Sequence, residues 1–176
     1  MLRRILPRRA TISLAYFAGV AAIGVGCGKP AFDGRSYQLG DVAFRIGPVP
    51  TPWQPLEVEG ARLAYRDPAT DTILSISARC GRDADDVPLA ALTQHLFIQF
   101  TERKVVDQKA FTLDGREALR TELKAKLDGV PRRFRVVVLK KDGCVYDFSE
   151  IATAKANAQS DAVFESVVTG FATKDR

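Results

Sequence analysis

The 176 residues are enough for one domain with a substantial core and too few for two of ordinary size. Apolar side chains make up 46% of the chain, which excludes a mainly disordered polypeptide. The formal charge of +5 hints at a polyanion partner, but Arg3, Arg4, Arg8 and Arg9 supply most of it; from Cys27 onward the net charge is +1, so no global pull toward nucleic acid remains.

Those four arginines precede Ala10 to Gly26, an uncharged run rich in Ala and Gly. A cationic start, an apolar stretch and small residues form the layout of an export signal, here spanning 1–26. The run sits at the lower edge of what crosses a hydrocarbon core of ~30 Å. Gly24-Val25-Gly26-Cys27-Gly28 resembles the lipobox of bacterial lipoproteins, departing from it at Gly24, where that family carries an aliphatic residue. The resemblance implies that Cys27 receives diacylglycerol on its sulfur and becomes the new N-terminus. Residues 27–35 are then a tether, and the chain is lipid-anchored in the bacterial envelope, facing the periplasm. Buried methylenes contribute ~0.8 kcal/mol each, so two or three acyl chains hold firmly. An uncleaved membrane helix or an ordinary secretory signal with an incidental Cys are the alternatives. Gly24 to Lys29 also imitates a phosphate loop, but Pro30 stands where Ser or Thr would hold magnesium, and no strand precedes it.

Beyond the tether, 36–172 reads as one domain. Tyr37 to Ile46 has the pattern of a strand or of a hairpin turning at Gly40-Asp41. The Pro-rich passage from Pro48 to Pro55 reads as loop or edge, because proline cannot donate to a central ladder, and Trp53 is placed to plug the core margin. Arg62–Tyr65 and Thr72–Cys80 predict a second hairpin. Pro88 to Phe100 predicts a helix with Asp86 near its N-cap and an apolar stripe of Leu89, Leu92, Leu96, Phe97 and Phe100.

Three Asp-Gly pairs, at 114–115, 128–129 and 142–143, then recur at fourteen-residue intervals. Asp-Gly between alternating segments is the strongest short-range hairpin signal. The pairs delimit a four-stranded antiparallel meander over Val105–Leu113, Arg116–Leu127, Arg132–Lys140 and Cys144–Ile151. Val136 to Leu139 suits burial on both faces. Asp161 to Phe171 predicts a closing helix with Val163, Phe164, Val167, Val168 and Phe171 on one side. The sum is an α+β sandwich: an antiparallel sheet ending in a meander, packed by two main helices.

This order of elements resembles the PsbP-like superfamily, whose members include a photosystem II extrinsic subunit, a nuclear-import Ran-binding factor and many small bacterial lipoproteins. The resemblance covers residues 40–172. It is carried by Trp53 in its Pro-rich loop, by Leu113-Asp114-Gly115-Arg116-Glu117-Ala118 entering a long strand, by Cys144-Val145-Tyr146-Asp147-Phe148, and by the closing Phe164, Val167, Val168, Phe171 helix. It implies an αβα sandwich and a non-enzymatic binding or assembly role. The plant subunit's metal role has no matching ligand set here, and no cofactor is expected.

The chemistry-bearing residues are few. Cys80 and Cys144 end two apolar alternations, which puts each on the core side of a strand. They read equally well as a disulfide, if those strands are neighbours, and as two buried thiols. His95 lies inside the first predicted helix and lacks a visible catalytic partner, so it reads as a surface or boundary residue. Asp83, Asp85 and Asp86 lack the twelve-residue calcium loop and read as a solvated turn. The less ordinary feature is the stretch from Arg116 to Lys141, which carries a net +6. Lys124, Lys126, Arg132, Arg133 and Arg135 within it are the candidate contacts for anionic lipid headgroups or an acidic protein partner. The plain alternative is a solvated sheet face kept from aggregating by its cations. A membrane-tethered, non-catalytic binding or assembly module follows, with a small envelope hydrolase using His95, or a secreted structural protein, as the competing readings.

Overall fold

A computed structural model of the chain describes residues 29–81 and 87–174. Ala31–Phe32 (β1), inside the stretch read as tether, pairs with Ser36–Leu39 (β2), which turns at Gly40 into Val42–Arg45 (β3). The Pro-rich passage yields only Gln54–Pro55 (β4), beside a buried Trp53. Leu63–Asp67 (β5) and Thr72–Cys80 (β6) form the expected second hairpin. Its turn is tied by the buried Asp67 carboxylate, which accepts from the Ala69 amide at 3.0 Å and the Thr70 hydroxyl at 2.6 Å.

The first helix, Leu89–His95 (α1), is shorter than the periodicity predicts. From Leu96 the chain tightens into three-residue turns, with the Phe97 amide bonded to the Gln94 carbonyl at 3.1 Å and the Phe100 amide to the Phe97 carbonyl at 3.0 Å. This stacks residues three apart on one side. Phe97 and Phe100 can then both reach Phe134, Phe100 with ring centroids 4.4 Å apart. Burial of the two rings decides the geometry over helix continuation.

The meander stands as read: Thr101–Leu113 (β7), Arg116–Leu127 (β8), Val130–Lys141 (β9) and Cys144–Ala152 (β10). At each Asp-Gly pair both residues take positive φ, for example 48° at Asp114 and 74° at Gly115, the conformation a two-residue hairpin needs to match strand twist. Ala158–Thr169 (α2) begins three residues before the expected start. Asn157 caps it, accepting from the Gln159 and Ser160 amides, while the Ser160 hydroxyl accepts from the Asn157 amide. Ala172–Thr173 (β11) closes the described chain.

Seven strands form one sheet in the order β4-β5-β6-β10-β9-β8-β7, and four form a smaller one in the order β1-β2-β3-β11. The large sheet is sandwiched. On one face α2 and the small sheet bury Phe44, Tyr146, Phe148, Val137, Leu139, Phe164 and Phe171; on the other α1 covers Leu123, Phe134, Val136, Val138 and Val145. Consecutive valines of β9 thus serve opposite cores, as the period of two requires. This is the α+β architecture expected from the sequence. One approach is unusually tight: a Cβ on Gly47 would lie 1.9 Å from the Ser166 carbonyl oxygen, and one on Gly170 would lie 2.4 Å from the Gly47 Cα. The backbones of α2 and of Gly47, the second residue after β3, meet without side chains between them.

Candidate functional site

The strand alternation that builds the cores also sorts the cations. Arg133 and Arg135 of β9 share the face covered by α2, and Glu150 of β10 points the same way, since it is paired with Arg135 in register. Asp161 and Glu165 are four apart on α2 and therefore face the same side. The result is an ion network between helix and sheet. Arg135 Nε and Nη2 donate to the fully buried Glu150 at 2.7 and 2.8 Å, Nη2 reaches Asp161 at 3.1 Å, and the guanidinium lies 4.8 Å from the Phe164 ring centroid. Arg120 grips Glu165 through two bonds of 2.7 Å. Arg133 donates to Asp161, and this hydrogen bond holds its guanidinium above its ordinary pKa against the opposing effect of burial.

This corrects the reading of Arg135 as an outward contact: it is 9% exposed and committed to Glu150. Arg133 is largely committed as well. An isolated guanidinium would not survive burial there, so the acids of β10 and α2 complete what the basic strand begins. Sequence reading missed Glu150, Asp161 and Glu165 as counter-ions. The signal available was the four-residue spacing of two acids on an otherwise apolar helix face.

Lys124, Lys126 and Arg132 remain at the surface near the β8–β9 turn. Lys126 bonds Glu102 at 2.5 Å, Arg132 lies within electrostatic reach of Asp71, and Lys124 makes no ion pair with a described residue. With Arg133 these side chains line a cavity of about 510 Å³, whose remaining wall includes Ala125, Pro131, Ala152 and Ala154. Register makes the charge density concrete: Lys104, Lys124 and Arg133 sit directly opposite one another across β7, β8 and β9.

Cys80 and Cys144 also stand opposite each other, on β6 and β10, and form a disulfide. The alternative of two buried thiols is therefore set aside. His95 is exposed, and its side chain bonds no described residue; the nearby acid in sequence, Glu102, is held by Lys126. Cys27, Asp83, Asp85 and Asp86 lie outside the described residues. Among the described residues no cluster of three His, Cys, Asp or Glu is arranged to hold a metal, and no helix is long and apolar enough to cross a membrane.

One buried acid has no counterpart in the sequence reading. Asp147 of β10 is 2% exposed, and burial pushes its carboxyl above the usual carboxylate range, opposed by Arg79. The Arg79 Nη1 atom lies 2.7 Å from Asp147 Oδ2, yet neither carboxylate oxygen has a partner in hydrogen-bonding geometry. The contact is better described as an ion pair at the edge of the core than as an oriented bond.

Neither a family model nor a curated protein matches the chain by sequence. Solved structures do match it in fold. The cyanobacterial PsbP protein of Synechocystis superposes with a TM-score of 0.57 at 15% identity, covering 89% of this chain and 98% of its own. LpqN of Mycobacterium tuberculosis, a protein involved in cell envelope biogenesis, gives 0.53 at 19% identity, covering 83% of this chain and 90% of its own. A Pseudomonas aeruginosa protein gives 0.50 at 15% identity, covering 85% of this chain and all of its own. At these identities the likeness is one of architecture, and it agrees with the element order read from the sequence: the chain has the PsbP-like fold.

Proposed function

We propose that the chain is a non-catalytic, membrane-tethered binding module of the bacterial envelope, anchored through Cys27 and presenting the β8–β9 end of its sheet to a partner. The observation that carries this reading is the division of labour among the cations. Arg120 and Arg135 are used up in docking α2, while Lys124, Arg132, the Glu102-paired Lys126 and the Asp161-paired Arg133 line an open hollow. That arrangement offers a surface for recognition without, among the described residues, a nucleophile, base and orienting group in mutual reach. The envelope setting is supported by the cationic and apolar N-terminus, by the Gly26-Cys27 junction, and by the likeness of fold to LpqN. The Cys80–Cys144 disulfide agrees with an oxidising compartment.

The test has two parts. Intact mass of the protein extracted from membranes without reductant is expected to begin at Cys27, to carry acyl additions, and to be two hydrogens short of the dithiol. A full-length mass overturns the lipid anchor. Cross-linking in intact cells is then expected to capture a partner from the wild type and less of it from a K124E/R132E variant. Equal capture from both overturns the basic hollow as the recognition surface.

A further inference from the structure

We infer that the hollow at the β8–β9 end takes an anionic amphiphile, a phosphate or carboxylate head carrying an alkyl tail. The inference rests on the reading of the chain as a binding module and names the chemistry that its open surface fits.

The first ground is electrostatic. Like charges placed directly opposite on neighbouring strands are unfavourable, and here three cations, Lys104, Lys124 and Arg133, stand in one row across three strands. The next row along the same face, Asp107, Glu122, Arg135 and Glu150, sets three acids against one arginine. Toward the β8–β9 turn the sign reverses: Lys126 follows Lys124 with only Glu102 against it, and Glu102 is largely exposed. An anion arriving there meets Lys124, which makes no ion pair with a described residue, beside Arg132, while Arg133 is already oriented by Asp161 and Glu150. Pre-oriented donors bind an oxyanion with less loss of side-chain freedom than loose ones.

The second ground is the wall. A site for inorganic phosphate needs polar atoms on every side, whereas beyond the cations this wall is Ala125, Pro131, Ala152 and Ala154, with Glu102 paired to Lys126 and the Thr153 hydroxyl donated to the Thr70 carbonyl at 2.7 Å. Apolar side chains beside a cationic rim match a ligand whose head is charged and whose tail is hydrocarbon. Val130, next to Pro131, is 45% exposed and extends the apolar surface beyond the hollow. About 510 Å³ accommodates a head and a short run of methylenes, the rest of a longer tail lying outside.

The full chain is titrated calorimetrically with octyl phosphate, with inorganic phosphate and with octyl glucoside, in nanodiscs if it is recovered from membranes and in buffer if it is recovered soluble. Octyl phosphate is expected to bind at least tenfold more tightly than either other probe. K124E/R132E is expected to lose that affinity tenfold or more while keeping the wild-type unfolding temperature, since Lys124 is exposed and the half-buried Arg132 makes no hydrogen bond or ion pair with a described residue. A154W, which fills the apolar side, is expected to bring octyl phosphate down to the level of inorganic phosphate. Nanodiscs containing phosphatidylglycerol separate the sources: weakened octyl phosphate binding there identifies bilayer lipid as the occupant, and unchanged binding identifies a free amphiphile, either result supporting the site. Equal binding of octyl phosphate and inorganic phosphate, or unchanged binding by K124E/R132E, overturns it. Partner capture that persists in wild-type cells after such a result leaves the binding-module reading standing and removes this ligand alone.

Discussion

Glu150 is fully buried, and both of its carboxylate oxygens accept hydrogen bonds from Arg135, which is itself buried. Removing one partner of a buried pair leaves an uncompensated charge and costs about 3–5 kcal/mol, whereas replacing both with apolar residues is often close to neutral. R135L or E150L alone should therefore lower stability by about that amount, and the double variant should recover most of it; a double-mutant cycle in denaturant measures this. Asp147 behaves differently. Its carboxyl is held above the usual range by burial, so in the folded state ionisation is disfavoured relative to the unfolded chain. The stability tied to the neutral acid is fully present below the unfolded pKa and is lost as pH rises through the higher folded one. D147N removes that loss: it is expected to raise the unfolding temperature at pH 7, with the gain shrinking as the buffer approaches pH 3. A constant difference across that range would show that the charge of Asp147 is not what the substitution relieves. None of these roles was legible from residue type. Asp147 and Glu150 lie three apart in one strand and so face opposite sides, one towards Arg79 and the other towards Arg135.

Elements were more legible, because their signals are local. Asp-Gly turns and alternation placed three of the meander's strands within two residues of their observed ends, and the fourth begins four residues earlier than read. The helices were less well bounded. α1 gives way to tight turns so that Phe97 and Phe100 can pack on Phe134, a long-range demand that periodicity cannot register. α2 starts at a capping box that uses Ser at the position where Glu or Gln is the usual signature. N157A should cost about 1 kcal/mol, the usual loss of an N-cap side chain, measured by denaturant midpoint. G47A should cost more, about 2–3 kcal/mol, because the new methyl group meets the Ser166 backbone, which has no rotamer by which to move aside. If G47A unfolds at the wild-type midpoint, the close approach of α2 to that loop is not part of the fold's stability.

At the scale of the whole molecule, the decisive event is the pairing of β6 with β10. It joins the early hairpin to the meander, extends the large sheet to seven strands and sets Cys80 against Cys144 across 64 residues of chain. On the loop-entropy account a crosslink of that span contributes about 4 kcal/mol, so reduction or a C80S/C144S variant should lower stability by roughly that much in denaturant titration. The same pairing brings Asp147 beside Ser77 and completes the core that α2 covers. Composition, alternation and turn chemistry by themselves determined the fold class, the meander, the near neutrality of the chain after Cys27 and the concentration of cations between Arg116 and Lys141, since each is a property of residues close in sequence. Only the tertiary structure decided which of those cations are free. Arg120 and Arg135 look no different from Arg132 along the chain, but strand alternation turns the first two toward Glu165 and Glu150, brought near by packing from 45 and 15 residues away, while Arg132 on the opposite alternation stays at the edge of the open hollow.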